Sequence, residues 1–599
     1  MFKSSSIFIL IIFSLISFTT YCQQAQNPEI TAEEIKQHIG YLASDELKGR
    51  DSGSDEILKA AEYIADEFAE YGLKPAFEGD YFQEFPFVKT IELTDNNSLT
   101  FTEKGKEISP KLWEDYITVP FSGNANVNAK LVFAGFGISA TDLEYDDYAG
   151  INVKDKIVIV FRNTPEPDVP HSEFDAFSPL RKKASVARDK GAAAIIFMNP
   201  YDENKTSDDL VKFNFDRGGS ITGFSVVSIK RNIIEDIFKD EGINLKDVYG
   251  KIIETKKPSS TELKNSSANI STEVKEVEAT SWNVGGILEG NDPTLKNEWI
   301  IIGAHFDHLG MGGDGSLYRG KEPQIHNGAD DNSSGTTGVL ELAEKFASVK
   351  GQLKRSIAFF TFSGEELGLL GSNYLVKNLP FPAEDAITMI NMDMIGRLKD
   401  SSLIVYGTGT SSNWKDILNK HNSYGFKLSF NDEGFGPSDH SSFYSMKIPV
   451  LFFFTGTHED YHKPSDDADK INFIGEQEIL EYVYDVAVDI DDNPERPDYL
   501  LVEKKQTGQM FARKVYVGTI PDFAGNVDGY KISGVSEGGP AQLAGLQGGD
   551  IIIEFGGKKI SNIYDFTYAL GDFVPGDVVD VIVKRGEEQI TFQVKLATK

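Results

Sequence analysis

The sequence predicts an α/β fold built on a mixed, mostly parallel central sheet flanked by helices, with smaller β-rich units on the same chain. Three observations carry this. Near-continuous apolar runs, WIIIGAHF at 299–306, SIAFFTF at 356–362, AITMINMDMI at 386–395 and PVLFFFT at 449–455, read as strands buried on both faces. A helical stretch at 335–348 separates the first two, as a crossover between parallel strands would. The 599 residues exceed what one hydrophobic core organises, so two to four domains are expected.

In chain order, residues 1–22 carry a single Lys followed by an apolar stretch from Ile7 to Phe18 that is too short to cross a bilayer, and read as a signal peptide. The chain is therefore expected to be exported, to the periplasm or outward. Cys22 is the only cysteine, and Tyr21 suits the position before a lipid-bearing cysteine poorly, so plain secretion is preferred to a lipid anchor. No later segment is apolar enough for a transmembrane helix, and one cysteine allows no internal disulfide.

Thr31-Ala32-Glu33-Glu34 forms a capping box ahead of Ile35, Ile39 and Leu42 at helical spacing. A second helix is predicted from Asp55 to Tyr71, with Ile57, Ala61, Ile64 and Phe68 on one face and Gly72 as its stop. From about 129 the texture changes to short strands, KLVFAGFG (130–137), KIVIVF (156–161) and AAIIFM (193–198), with a helix over PLRKKASVARDKGA, so a separate module is placed at 121–265. Residues 258–281, rich in Ser, Thr, Asn, Lys and Glu, read as a linker or charged edge. A last unit at 508–597 contains YKISGV, a helix near 562–571 and VVDVIVKRGEEQITFQVKL, and reads as a small mixed β domain.

The formal net charge of −33, with no Lys/Arg cluster, excludes a phosphate-backbone partner such as nucleic acid and otherwise reads as solubility. The chemistry lies at strand ends. His305 and Asp307 follow WIIIGA, Asn327-Gly328-Ala329-Asp330-Asp331-Asn332 precedes the 335 helix, Glu365 and Glu366 follow SIAFFTF, Asp393 closes the next strand, and His462 follows PVLFFFT. Any one of these is ordinarily a wet turn or a hydrogen-bonded polar residue. Together, each at the carboxyl end of a different apolar strand, they form a donor set suited to zinc. The donors exceed the needs of one catalytic zinc, whereas two metals sharing a carboxylate would use them all. In that reading Glu366 is a ligand and Glu365 a general base.

The wording and order of these motifs, H-x-D, G-A-D-D-N-x-S-G, E-E-x-G-L-x-G-S, N-M-D-M-I-G and Y-H, resemble the M28 family of zinc peptidases over 27–120 and 266–500. The resemblance implies a zinc exopeptidase fold with two Zn2+ per chain: His305 and Asp393 on one, Glu366 and His462 on the other, Asp331 bridging, and a cis peptide bond after Asp331. It further implies Glu365 as base, Asp307 orienting His305 through its second ring nitrogen, Tyr461 donating to the developing oxyanion, and Asp439-His440 near the pocket rim, where they could contact substrate. The 121–265 module resembles a protease-associated (PA) domain, and 508–597 a PDZ domain whose loop for a peptide C-terminus is expected near Val517-Gly518-Thr519-Ile520.

The function so implied is an exported aminopeptidase that hydrolyses N-terminal residues from peptides with a free amine, by a two-zinc-activated hydroxide. Two rivals are set against it. A glutaminyl cyclase-like aminoacyl transferase would carry one zinc, and a non-catalytic peptide-binding protein on a peptidase scaffold would have lost ligands.

Overall fold

The protein is described from a computed structural model covering residues 29–167, 169, 172–201, 208–313, 315–502, 515–522, 527–536 and 538–598. The leader read at 1–22, with Cys22, lies outside these residues. Among the described residues no helix is long and apolar enough to cross a membrane.

The capping box folds as its chemistry dictates. Thr31 Oγ1 accepts the Glu34 amide at 3.2 Å and donates to Glu34 Oε2 at 2.6 Å, opening helix Ala32–Leu42. Ser54 caps helix Asp55–Glu70 in the same way. The apolar stripes of both, including Ile35, Ile39, Ile64 and Phe68, pack with Ile300, Ile302, Val339 and Leu480 into one core.

That core lies against a nine-stranded mixed sheet. Its centre runs Val274–Leu288, Ser356–Phe362, Trp299–His305, Ala386–Met392, Val450–Phe454, Ser402–Tyr406, Lys427–Asn431. The four strands Ser356–Phe362, Trp299–His305, Ala386–Met392 and Val450–Phe454 are mutually parallel, so their carboxyl ends share one edge. Each is almost wholly buried, which explains why the runs show no polar alternation. Helix Gly335–Ser348 makes the crossover between the Trp299–His305 and Ser356–Phe362 strands.

A second sheet of eight strands has its own core, around Phe133, Ile159, Ile196 and Phe238. It takes in Ser98–Glu103, Lys106–Ile108 and Tyr116–Thr118, which a boundary at 121 assigns to the first domain. The chain therefore leaves the first sheet earlier than position 121. Segment 258–281 is no linker: it forms strand Thr261–Thr272 of the second sheet and the beginning of Val274–Leu288 of the first. Its polar residues mask a half-buried alternation in which Leu263, Ala268 and Ile270 point inward. This continuous pair of strands joins the two units.

The third unit packs Ile532, Phe555, Val581 and Val594 under helix Ile563–Leu570. It docks on the second through that helix. Asp565, buried, pairs with Arg188 at 2.7 Å and accepts from Ser185 at 2.5 Å, both on helix Leu180–Asp189. The Arg181 guanidinium lies 5.0 Å from the Tyr564 ring. A tie to the first unit runs from Lys377 to Asp522 at 2.8 Å.

Candidate metal centre

The suspected residues meet at the shared carboxyl edge of the parallel strands. His305 ends its strand and its Nε2 lies 3.5 Å from Asp331 Oδ1 and 3.5 Å from Asp393 Oδ2. On the other side of Asp331, Oδ2 lies 3.2 Å from His462 Nε2, which is 3.3 Å from Glu366 Oε2. Asp331 thus presents one oxygen to each histidine. All five are buried or nearly so, an arrangement that bare acids would not tolerate without a positive partner. The donor set fits a pair of divalent cations: His305, Asp331 and Asp393 form one converging group, and His308, Asp331 and Glu366 a second, against which His462 also lies through Asp331 and Glu366.

The ring orientations agree. His305 Nδ1 donates to the Asp307 carbonyl at 3.2 Å and His462 Nδ1 to the Gly315 carbonyl at 2.8 Å, which leaves Nε2 of both facing the carboxylates. Asp307 therefore orients His305 with its main chain. Its carboxylate, 3.7 Å from Nδ1, is engaged elsewhere, accepting the Glu365 amide at 3.1 Å and the Ser52 hydroxyl at 3.0 Å. The contact at the second ring nitrogen comes through the main chain because the strand ends at His305 and the Asp307 carbonyl turns back toward the ring.

The Asp331 turn is built by its neighbours. Gly328 is left-handed, φ 59°, and a Cβ there would stand 2.2 Å from the Asp331 carbonyl and 2.6 Å from the His308 ring. The Asp331-Asn332 peptide bond is cis. Asn332 donates to the Met392 carbonyl at 3.1 Å and accepts the Met394 amide at 3.2 Å, gripping the residues on either side of Asp393.

Electrostatics separate the two adjacent glutamates. Burial raises Glu366, but hydrogen bonds from His308 and His462 outweigh it and hold the carboxyl well below its ordinary range. Burial pushes Glu365 well above its ordinary value; His305 opposes this, and the Glu366, Asp439 and Asp393 carboxylates add to it. Burial lowers His462, yet hydrogen bonds to Asp331 and Glu366 carry it up to about 11. The attraction that holds this proton is the one a metal ion would use.

Tyr461 stacks on His462, ring centres 3.9 Å apart, and burial followed by the Asp331 and Glu366 carboxylates raises its hydroxyl, which stays a donor. Asp439 and His440 are fully buried, not at a rim. They begin helix His440–Ser445, which packs inward: His440 stacks on Phe452 at 4.6 Å, and Ser442 meets Ser372 at 2.9 Å.

Four buried neighbours of the donors have no role assigned by the sequence analysis. His308 donates to Glu366 at 2.7 Å; it stands at the same strand end as His305 and carried the same cue. Asp330 pairs with His458 at 3.1 Å and accepts the Gly396 amide at 2.7 Å. Arg50 and Asp466 are fully buried charges beneath the site, and nothing local marks them.

Residues 283–487 match the model of Peptidase family M28, residues 127–237 that of the PA domain and residues 509–596 that of the PDZ domain. The 283–487 segment is an M28 peptidase domain. It contains all five converging donors. The chain is 32% identical over 193 residues to leupeptin-inactivating enzyme 1 of Streptomyces exfoliatus, covering 32% of this chain and 39% of that protein. It is 26% identical over 252 residues to leucine aminopeptidase 2 of Trichophyton rubrum, covering 36% and 47%. The chain thus spans less than half the length of these curated relatives. Among solved structures, an aminopeptidase from Aneurinibacillus sp. strain AM-1 superposes with a TM-score of 0.48 at 24% identity, over 80% of this chain and 97% of that one.

Proposed function

We propose that the M28 domain is an exported, zinc-dependent aminopeptidase, and that two Zn2+ per chain are held by His305 and Asp393 on one side, Glu366 and His462 on the other, with Asp331 between them. The observation that carries this reading is Asp331: its two oxygens face two different histidines at 3.5 Å and 3.2 Å, which a single-zinc transferase site would not require.

Such a metal pair supplies Lewis-acid polarisation of the scissile carbonyl and acidifies water at neutral pH. The chain's own groups do the rest. Glu365, outside both donor groups, takes the proton of the attacking water and delivers it to the leaving amine. The Tyr461 hydroxyl donates to the carbonyl oxygen as negative charge grows on it. Carboxylates in excess around the histidines suit a substrate's free ammonium, which favours cleavage at the N-terminus. The relatives named leucine aminopeptidases make an apolar N-terminal residue the first to try.

The test is a panel of aminoacyl-nitroanilides and matched N-blocked peptides, with elemental analysis of the same preparation. Release of the first residue from unblocked substrates only, abolished by chelation and restored by zinc, is the expected result, with two zinc equivalents per chain. One equivalent would favour the cyclase-like transferase instead.

A further inference from the structure

Asp331 can face both histidines only if the turn that carries it is held, and the turn's polar groups are taken by two buried charges from distant segments. The amides of Asp330 and Asp331 donate to one oxygen, Asp466 Oδ2, at 2.9 and 3.1 Å. The carbonyls of Asn327 and Gly328 accept from the Arg50 guanidinium at 2.7 and 3.0 Å. Both side chains are fully buried. Charge-assisted bonds of this kind are about twice as strong as neutral ones.

Each residue also belongs to, or bonds, the segment that carries one of the histidines. Arg50 Nε donates to the carbonyl of Phe306, the residue after His305, at 2.7 Å. Asp466 belongs to the loop that carries His462, and its own carbonyl accepts the Ala329 amide at 3.0 Å. Its second oxygen is pinned by Arg397 at 3.0 Å, and Arg397 in turn binds Asp460 at 3.2 Å. Neither Arg50 nor Asp466 belongs to either converging donor group.

We propose that Arg50 and Asp466 are positioning residues for the metal pair, locking the 327–331 turn to the His305 strand end on one side and to the His462 loop on the other. This rests on the two-metal reading of the site. Their effect is on the registry of Asp331, so it should appear as metal affinity in a protein that is still folded. Partners that orient metal ligands typically affect metal affinity 10- to 100-fold.

The experiment compares the full-length wild type with Asp466→Asn, which keeps the shape but cannot pair with Arg397, and Arg50→Lys, which keeps a charge but loses the fork that binds several carbonyls. Zinc affinity is measured by competition with a chromophoric chelator, and site geometry by the visible absorption of the Co2+ form, alongside the melting temperature of the metal-free proteins. A loss of about 10- to 100-fold in affinity for at least one equivalent, with an altered Co2+ band in a folded protein, is expected. Arg397→Gln, which leaves Asp466 in place, serves if Asp466→Asn does not fold, and is expected to shift affinity in the same direction. Folded variants that bind zinc within twofold of wild type, with an unchanged Co2+ spectrum, overturn the proposal. If wild type binds one zinc, the two-metal reading fails, and the comparison at that one site still decides the role of Arg50 and Asp466.

Discussion

Two neighbouring glutamates are shifted in opposite directions because their surroundings differ. Glu366 accepts from two histidines, whereas Glu365 is buried among carboxylates. Glu365→Gln is expected to lower kcat by at least about 100-fold, the ordinary worth of a general base, while elemental analysis finds the zinc content unchanged. Full activity would remove Glu365 from the mechanism. A second residue-scale effect lies away from the site. Burial, then Glu34 and Glu344, raises Glu341 from 4.5 to about 9, and burial lowers its neighbour His38 to about 4. The folded state therefore holds a proton on Glu341 that the unfolded chain releases. This contribution to stability is complete below pH 4.5 and is lost as pH rises toward 9. Glu341→Gln, which cannot ionise, should melt higher than wild type at pH 8.5, with the gap closing at pH 5. Parallel melting curves across that range would contradict the assignment.

At the scale of elements, helix Gly335–Ser348 starts where the Asp393 strand passes closest. A Cβ on Gly335 would lie 2.3 Å from the Met392 carbonyl and 2.4 Å from Asn332 Oδ1, so the glycine permits the approach that brings the Asp331 turn to Asp393. Gly335→Ala should cost roughly 1–3 kcal/mol, the usual price of overpacking, and release zinc at lower chelator concentrations. Calorimetry and chelator titration check both. The central strands were legible because strands buried on both faces must be apolar throughout, and the helix starts because caps are local chemistry. Thr261–Thr272 was not legible. A half-buried strand with Ser, Thr and Asn outward has the composition of a linker, and only its pairing with Ser98–Glu103 and Ala125–Phe133 reveals it.

Across the whole molecule, the three units are joined by specific contacts. The PDZ domain rests on the PA domain through Asp565, whose partner Arg188 also binds the Lys559 carbonyl at 3.0 Å. Removing one member of a buried pair typically costs about 3–5 kcal/mol, because the other charge stays behind. Arg188→Ala is therefore expected to uncouple the PDZ domain, seen as an earlier, separate calorimetric transition and faster amide exchange in helix Leu180–Asp189. A single unchanged transition would show that the contact does not hold the domains together. In the loop expected to face a peptide C-terminus, the carbonyls of Val517 and Gly518 accept the amides of Ala541 and Ser536, both at 2.8 Å.

By itself the sequence determined the parallel strands, the helix caps and which strand ends carry metal-binding chemistry, because each follows from residue type within a few positions. The tertiary structure alone decided that Asp331 faces two histidines, that Asp439 and His440 turn inward, and that Arg50 and Asp466 converge beneath the turn. These depend on contacts between segments far apart in the chain, and a buried charge leaves no periodic trace of the partner that neutralises it.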